Sequence, residues 1–324
     1  MRLIDQIGVE APFTVGNDRL DETFRVRNAA DFRLKLQATP QRFILDAAAT
    51  AFCTDFFVQQ ADVLGDSMDI LRFPANRFWI EWAERTRVEA LAALRPGAFP
   101  QKADVPTDTR AGALVEINAD GRSGKAWLFT GGGFGAVLCP LYLDFDTQNP
   151  PAVETEPVLR RFRFANPAFP ELNGPSVWCT INVERSWYDY CRSATASDQH
   201  FNAEILRVAG MLLFDWPMIA AFSLLYPLPK PFVRRASDLA KLNRARNGKG
   251  KPALLDHVEI SASLIARADS GGDGASGWVG RGKRLHHVRG HLVRRGDRVF
   301  WRSPHLRGKP ELGEVTTRTV RVTA

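Results

Sequence analysis

Two apolar runs joined by a turn signature constrain this chain most. Ala113-Leu114-Val115-Glu116-Ile117 is followed by Asn118-Ala119-Asp120-Gly121 and then by Ala126-Trp127-Leu128-Phe129-Thr130. Apolar runs flanking an Asp-Gly turn read as an antiparallel hairpin. Gly131-Gly132-Gly133-Phe134-Gly135 turns the chain again into residues 136–145, so residues 112–146 predict a run of antiparallel strands. A further strand is expected at Arg77-Phe78-Trp79-Ile80-Glu81-Trp82, where Trp79 and Trp82 fall on opposite faces. That placement leaves one of the two open to exposure as an interface anchor, with core packing the commoner fate.

Helical spacing surrounds these strands. Residues 20–70 read as helical, with apolar side chains recurring from Ile44 to Phe57, and Pro74 ends the stretch. A second helical piece runs from Val88 to Leu94, and residues 149–157 read as a proline-rich acidic loop. The longest helical pattern, His200 to Tyr226, stops at Pro227, Pro229 and Pro231. Beyond it come a short helix from Asp238 to Arg246, ended by Asn247-Gly248, and a strand from Asp256 to Ala266. A Gly/Ser loop from Asp269 to Gly277 follows. Then come strands over Arg284–Arg294, Arg298–Arg302 and Gly313–Val322. The expected class is α+β: helices packed on a central antiparallel sheet, with a small, basic, mostly β C-terminal region. The proline cluster sets the expected division at 1–229 and 230–324.

Charge supports that division. Residues 230–324 hold 21 Lys or Arg against 8 Asp or Glu, whereas the rest of the chain, with 22 against 28, is net acidic. Five of the six histidines (His257, His286, His287, His291 and His305) also lie in the basic part. A positive field of this kind steers polyanions and acidic surfaces toward it. No run of about 18 uncharged apolar residues occurs, so no membrane span is expected. The N-terminus lacks a secretory pattern, and the cytoplasm is the expected location. Cys53, Cys139, Cys179 and Cys191 show no C-x-x-C pair and are expected as buried thiols.

Several motifs fail on their spacing. Gly121-Arg122-Ser123-Gly124-Lys125 has Ala119 and Ala126 where a phosphate loop needs Gly and Ser or Thr, and reads as a hairpin turn. The glycines at 131–135 precede strand-like residues, so no helix N-terminus would meet a pyrophosphate. Asp256-His257 could open an HNH-type nuclease site, but no Asn follows Asn247 to complete it. His257 is more simply the start of a strand.

His286-His287-Val288-Arg289-Gly290-His291 is the densest cluster of functional residue types. On one continuous strand His287, Arg289 and His291 would share a face, with His286 opposite. Two histidines flanking an arginine suit acid–base chemistry on a phosphate, so a ribonuclease using His287, His291 and Arg289 is one reading. Metal ligation is a second; no Cys and few carboxylates lie nearby, and neither metal nor cofactor is expected. A polar network presenting cations to a partner is the third and the favoured one, so an enzyme is not the leading expectation. Arg294, Arg295, His305 and Arg307 extend the basic surface. Trp301, with Phe300 and Trp278, suits either stacking on unpaired bases or a small β core.

The element His286-x-x-Arg289-Gly290-His291, followed by Trp301, Pro304 and Arg307-Gly308, resembles the C-terminus of a phage-, prophage- and plasmid-encoded family. Leu242-Asn243-x-x-Arg246 with Gly250-Lys251-Pro252 is similar to the segment preceding that element in the family. Pro74 with Trp79-Ile80-Glu81 is similar to its N-terminal strand. The family includes a type V-A anti-CRISPR protein, which recognises the nascent N-terminal peptide of the effector nuclease and provokes loss of its mRNA. The resemblance implies a mobile-element accessory protein acting in the host cytoplasm against a defence system. Its partner would be a nascent peptide or ribonucleoprotein, with RNA within reach of the C-terminal cations. Trp79 and Glu81 join the candidate binding residues on the same basis. A structural or assembly protein of a phage particle is a further alternative.

Overall fold

The computed structural model describes residues 2–7, 14–15, 22–94, 105–132, 135–148, 179–183, 215–229, 231–262, 284–288, 290–302, 305–307 and 309–314. It divides into two compact units, Met1–Ala262 and Ser263–Ala324. The basic segment beginning at residue 230 is therefore shared between them.

The first unit starts with α1 (Leu3–Gln6), β1 (Thr14–Val15), α2 (Glu22–Gln37), β2 (Gln41–Leu45), α3 (Ala47–Gln59) and α4 (Ala61–Asp66). It continues with β3 (Arg77–Ala83), α5 (Glu84–Leu94), β4 (Arg110–Ile117), β5 (Ser123–Gly132), β6 (Gly135–Asp146) and β7 (Cys179–Val183). It closes with α6 (Asp215–Leu225), β8 (Phe232–Ala236), α7 (Ala240–Asn247) and β9 (Val258–Ala262). The strands form one sheet in the order β1-β6-β5-β4-β3-β2-β9-β8, with β7 also paired to β6.

The class is α+β, and the sheet is mixed. The run β3-β4-β5-β6 is antiparallel, and within residues 112–146 this is what the turn signatures predict. β2, however, lies parallel to both β3 and β9. Residues 41–45 were expected to be helical with their surroundings. They form a strand because Phe43, Ile44 and Leu45 are consecutive buried residues, the signature of a strand covered on both faces. Its partners lie far away in sequence, so local periodicity does not reveal it.

Helices cover both sheet faces. On one, Phe32 of α2 packs edge-on against Phe129 and Trp127, and Trp79 packs against Phe129. On the other, Phe43 meets Phe222 of α6, and Phe145 stacks on Trp216 at 4.3 Å. Trp79 and Trp82 do point to opposite faces, yet both are fully buried, because each face has its own helical layer. Core packing, the commoner fate of such residues, holds for both. At the β4–β5 turn, Gly121 has φ +70 and the Asp120 carboxylate accepts from the Arg122 and Ser123 amides. The Gly-Lys stretch is thus a hairpin turn.

The acidic loop expected at 149–157, the helical residues 200–214, the Gly/Ser loop at 269–277 and residues 315–322 of the last expected strand lie outside the described residues. Among the described residues no helix is long and apolar enough to cross a membrane. Cys53 and Cys139 are free thiols, and burial pushes both upward, Cys139 to about 12.

The second unit contains β10 (Arg284–Val288), β11 (His291–Arg295), β12 (Arg298–Arg302), β13 (His305–Arg307) and β14 (Lys309–Glu314). β13-β10-β14 make one small sheet and β11-β12 a hairpin. The single strand expected over 284–294 is two strands in separate sheets.

Candidate functional site

The C-terminal element is built by backbone pairing. β10 and β13 run antiparallel, with His286 opposite Arg307, His287 opposite Leu306 and Val288 opposite His305. His286 and Arg307, both binding candidates from the sequence, thus become cross-strand neighbours. Gly290 follows β10, and β11 begins at His291. His287 and His291 therefore stand on different strands of different sheets, and the common strand face expected for them is not formed. Arg289 lies outside the described residues.

β11 and β12 form a tight hairpin around Gly296-Asp297, where Gly296 has φ +61, the conformation such a turn requires. Pairing puts Leu292 opposite Trp301 and Arg294 opposite Val299 on one face. His291 opposite Arg302, Val293 opposite Phe300, and Arg295 opposite Arg298 share the other. Leu292 is buried, so the Leu292–Trp301 face is the inner one, and Trp301 sits there half-buried. Outside, the Arg295 guanidinium lies 5.5 Å from the Phe300 ring, within cation–π range. Arg294 turns back to donate to the Gly296 carbonyl at 2.8 Å, while Arg295, Arg298, Arg302 and Arg307 are exposed. The unit carries 13 Lys or Arg against 5 Asp or Glu, so its field is strongly positive. This arrangement can attract and hold an anion.

Trp79 and Glu81 have a different fate. Glu81 is fully buried, and its carboxylate accepts from the Leu3 and Ile4 amides, each at 3.0 Å. Those amides belong to the first turn of α1, whose N–H groups have no partner within the helix. Glu81 also accepts from the Trp79 indole at 3.3 Å and from the Arg110 guanidinium. A Cβ on Gly112 would come within 2.6 Å of the Trp79 ring, so the strand beside it must be bare there. Around this anchor Arg33 donates to the Ile4 and Ala253 carbonyls, both at 3.1 Å. Burial pushes Asp5 above the usual carboxylate range, although the Leu255 amide donates to it. Trp79 and Glu81 thus tie the N-terminal residues into the core; neither is on a surface that could meet a partner.

A second buried ionic cluster joins the helices on the opposite face. Arg87 of α5 pairs with Asp215, the first residue of α6, and with Glu84 at 2.7 Å; Glu84 also accepts from the Trp82 indole at 3.0 Å. Burial opposes the Arg87 charge, but Asp215 and Glu84 outweigh it and hold the guanidinium above its ordinary range. Burial lifts Asp215 to about 6 despite Arg87. The sequence gives no hint of this pair, whose members are 128 residues apart.

His257 is buried at the entry to β9, with Nδ1 2.9 Å from the Leu255 carbonyl oxygen. Among the described residues no group of three His, Cys, Asp or Glu side chains is placed to hold a metal. The α7 motif is also structural in part. Asn243 donates to the Leu254 carbonyl at 3.0 Å and accepts from the Leu254 amide at 2.8 Å. Arg246 donates to the Pro252 carbonyl at 2.8 Å. The chain matches no family model, no curated protein and no solved structure.

Proposed function

We propose that the protein is a mobile-element accessory factor of the anti-CRISPR type, acting in the host cytoplasm. It recognises a nascent peptide or its ribonucleoprotein through the C-terminal unit and lowers expression of a host defence protein. The observation that carries this reading is the pairing of β10 with β13. It sets His286 opposite Arg307 and Val288 opposite His305, so the sequence element and its trailing Arg lie on paired strands. The resemblance of that element to the phage and plasmid family supplies the class of partner. The exposed cations Arg295, Arg298, Arg302 and Arg307 favour recognition of an anionic or acidic partner.

The test is co-expression with a type V-A effector whose mRNA and protein are both quantified. The expected result is a fall in effector mRNA that depends on its translation and is lost in His286→Ala/Arg307→Ala. Unchanged effector mRNA and protein in the presence of the wild-type chain would contradict the reading.

A further inference from the structure

Helix α7 buries none of its side chains. Eight residues are too few for a stable helix in water without outside support. The support comes from the return loop: Asn243 grips both backbone groups of Leu254, Arg246 grips Pro252, and the Lys251 amide donates to the Arg246 carbonyl at 3.0 Å. Gly250, at φ +67, makes the turn between them. Helix and loop are therefore one hydrogen-bonded unit, and the helix itself buries no apolar side chain.

What this unit displays is charge. Residues 232–251 contain seven Lys or Arg against one Asp. Lys241, Arg244, Lys249 and Lys251 are all exposed, and no described carboxylate pairs with any of them. Cations at a helix C-terminus relieve the helix dipole, which accounts for Arg244 and Arg246. That effect fades within the last turn, so it does not account for Lys241 or for the loop lysines.

We propose that α7 and its return loop are a phosphate-contacting surface that holds the backbone of a polynucleotide. Three of the four exposed cations are lysines, which bind phosphate as point charges and are depleted from protein interfaces. Leu242, 48% exposed, is the single large apolar side chain that α7 offers, too little for a protein-interface anchor. Residues 237–256 contain no aromatic side chain on which a base could stack, so contact is with phosphate and is independent of base sequence. The loop is already fastened before binding, which lowers the ordering cost. This surface lies in the first unit and does not depend on the function proposed above.

The test uses the full chain and a fluorescent oligouridylate of about 20 nucleotides, titrated by anisotropy between about 50 and 200 mM salt. The comparison is with Lys241→Glu/Arg244→Glu/Lys249→Glu/Lys251→Glu, checked for an unchanged melting curve; the four-alanine version replaces it if the reversal does not fold. At about 0.7 per neutralised phosphate, the salt slope should fall by about 3 and affinity by at least about thirty-fold. Conservative replacement of the three lysines by arginine should keep binding. Equal affinity and slope in wild type and the charge-reversed chain would overturn the proposal, since the oligonucleotide would then be held elsewhere. So would an absence of binding by the wild type, or binding of a polyglutamate peptide in its place.

Discussion

The strand carrying Trp79 and Glu81 and the strands carrying Arg295 and Arg307 hold candidate residues of the same kind, and they end in opposite environments. Glu81 is fully buried, with its partners inside the protein: two helix amides, an indole and a guanidinium. The C-terminal strands leave Arg295, Arg298, Arg302 and Arg307 exposed, and Leu292 is buried. A polar residue in a motif can serve the fold or a partner, and burial separates the two. A buried charge answers to hydrogen-bond partners that must all be present; an exposed one is available to a ligand.

The largest effects are expected where charge is buried on the helical side of the first unit. Asp215→Ala leaves Arg87 without its main partner and should cost about 3–5 kcal/mol in urea unfolding. Replacing both, as Arg87→Met/Asp215→Leu, should recover most of that loss; no recovery would mean that the pair does more than satisfy itself. Glu81→Ala should cost about 2–4 kcal/mol, because two α1 amides and Arg110 lose their acceptor. Gly112→Ala should cost about 1–3 kcal/mol by driving a methyl into Trp79. At the far end, His286→Ala/Arg307→Ala should shift stability by no more than about 0.5 kcal/mol while abolishing any effect on effector mRNA. A large loss of stability there would erase the contrast between the regions.

Asp215 adds a pH signature. Its carboxyl is raised in the folded protein to about 6, above the ordinary value of 3.8. Between these values the folded state binds the proton that the unfolded state has released. This group's contribution to stability is therefore greatest below about pH 4 and declines as pH rises toward about 6. In Asp215→Asn that decline should vanish from the pH profile of the urea midpoint; an identical profile would place the titration elsewhere.

Legibility in the sequence followed the range of the interactions. The β4–β5 hairpin and the end of α7 were readable because apolar runs, an Asp-Gly turn and an Asn-Gly stop act over a few residues. Strand β2 was hidden because what makes it a strand is its parallel pairing to β3 and β9. The split of 284–294 into two strands falls between Val288 and His291, an interruption that apolar patterning does not weigh. Of the candidate residues, the sequence located the basic C-terminal strands but not their pairing, in which His305 and Arg307 fold back on β10. It could not tell that Trp79 and Glu81 are internal, since that depends on the N-terminal residues 2–7 packing over β3 to β6. The Arg87–Asp215 pair joins helices too distant in sequence for any spacing rule.

The contrast between a motif that builds the fold and one that faces a partner is tested most directly by the urea midpoint of Glu81→Ala in the full chain. A buried anchor predicts a stability loss of about 2–4 kcal/mol. An unchanged midpoint would contradict it and return Trp79-Ile80-Glu81 to the candidates for partner contact.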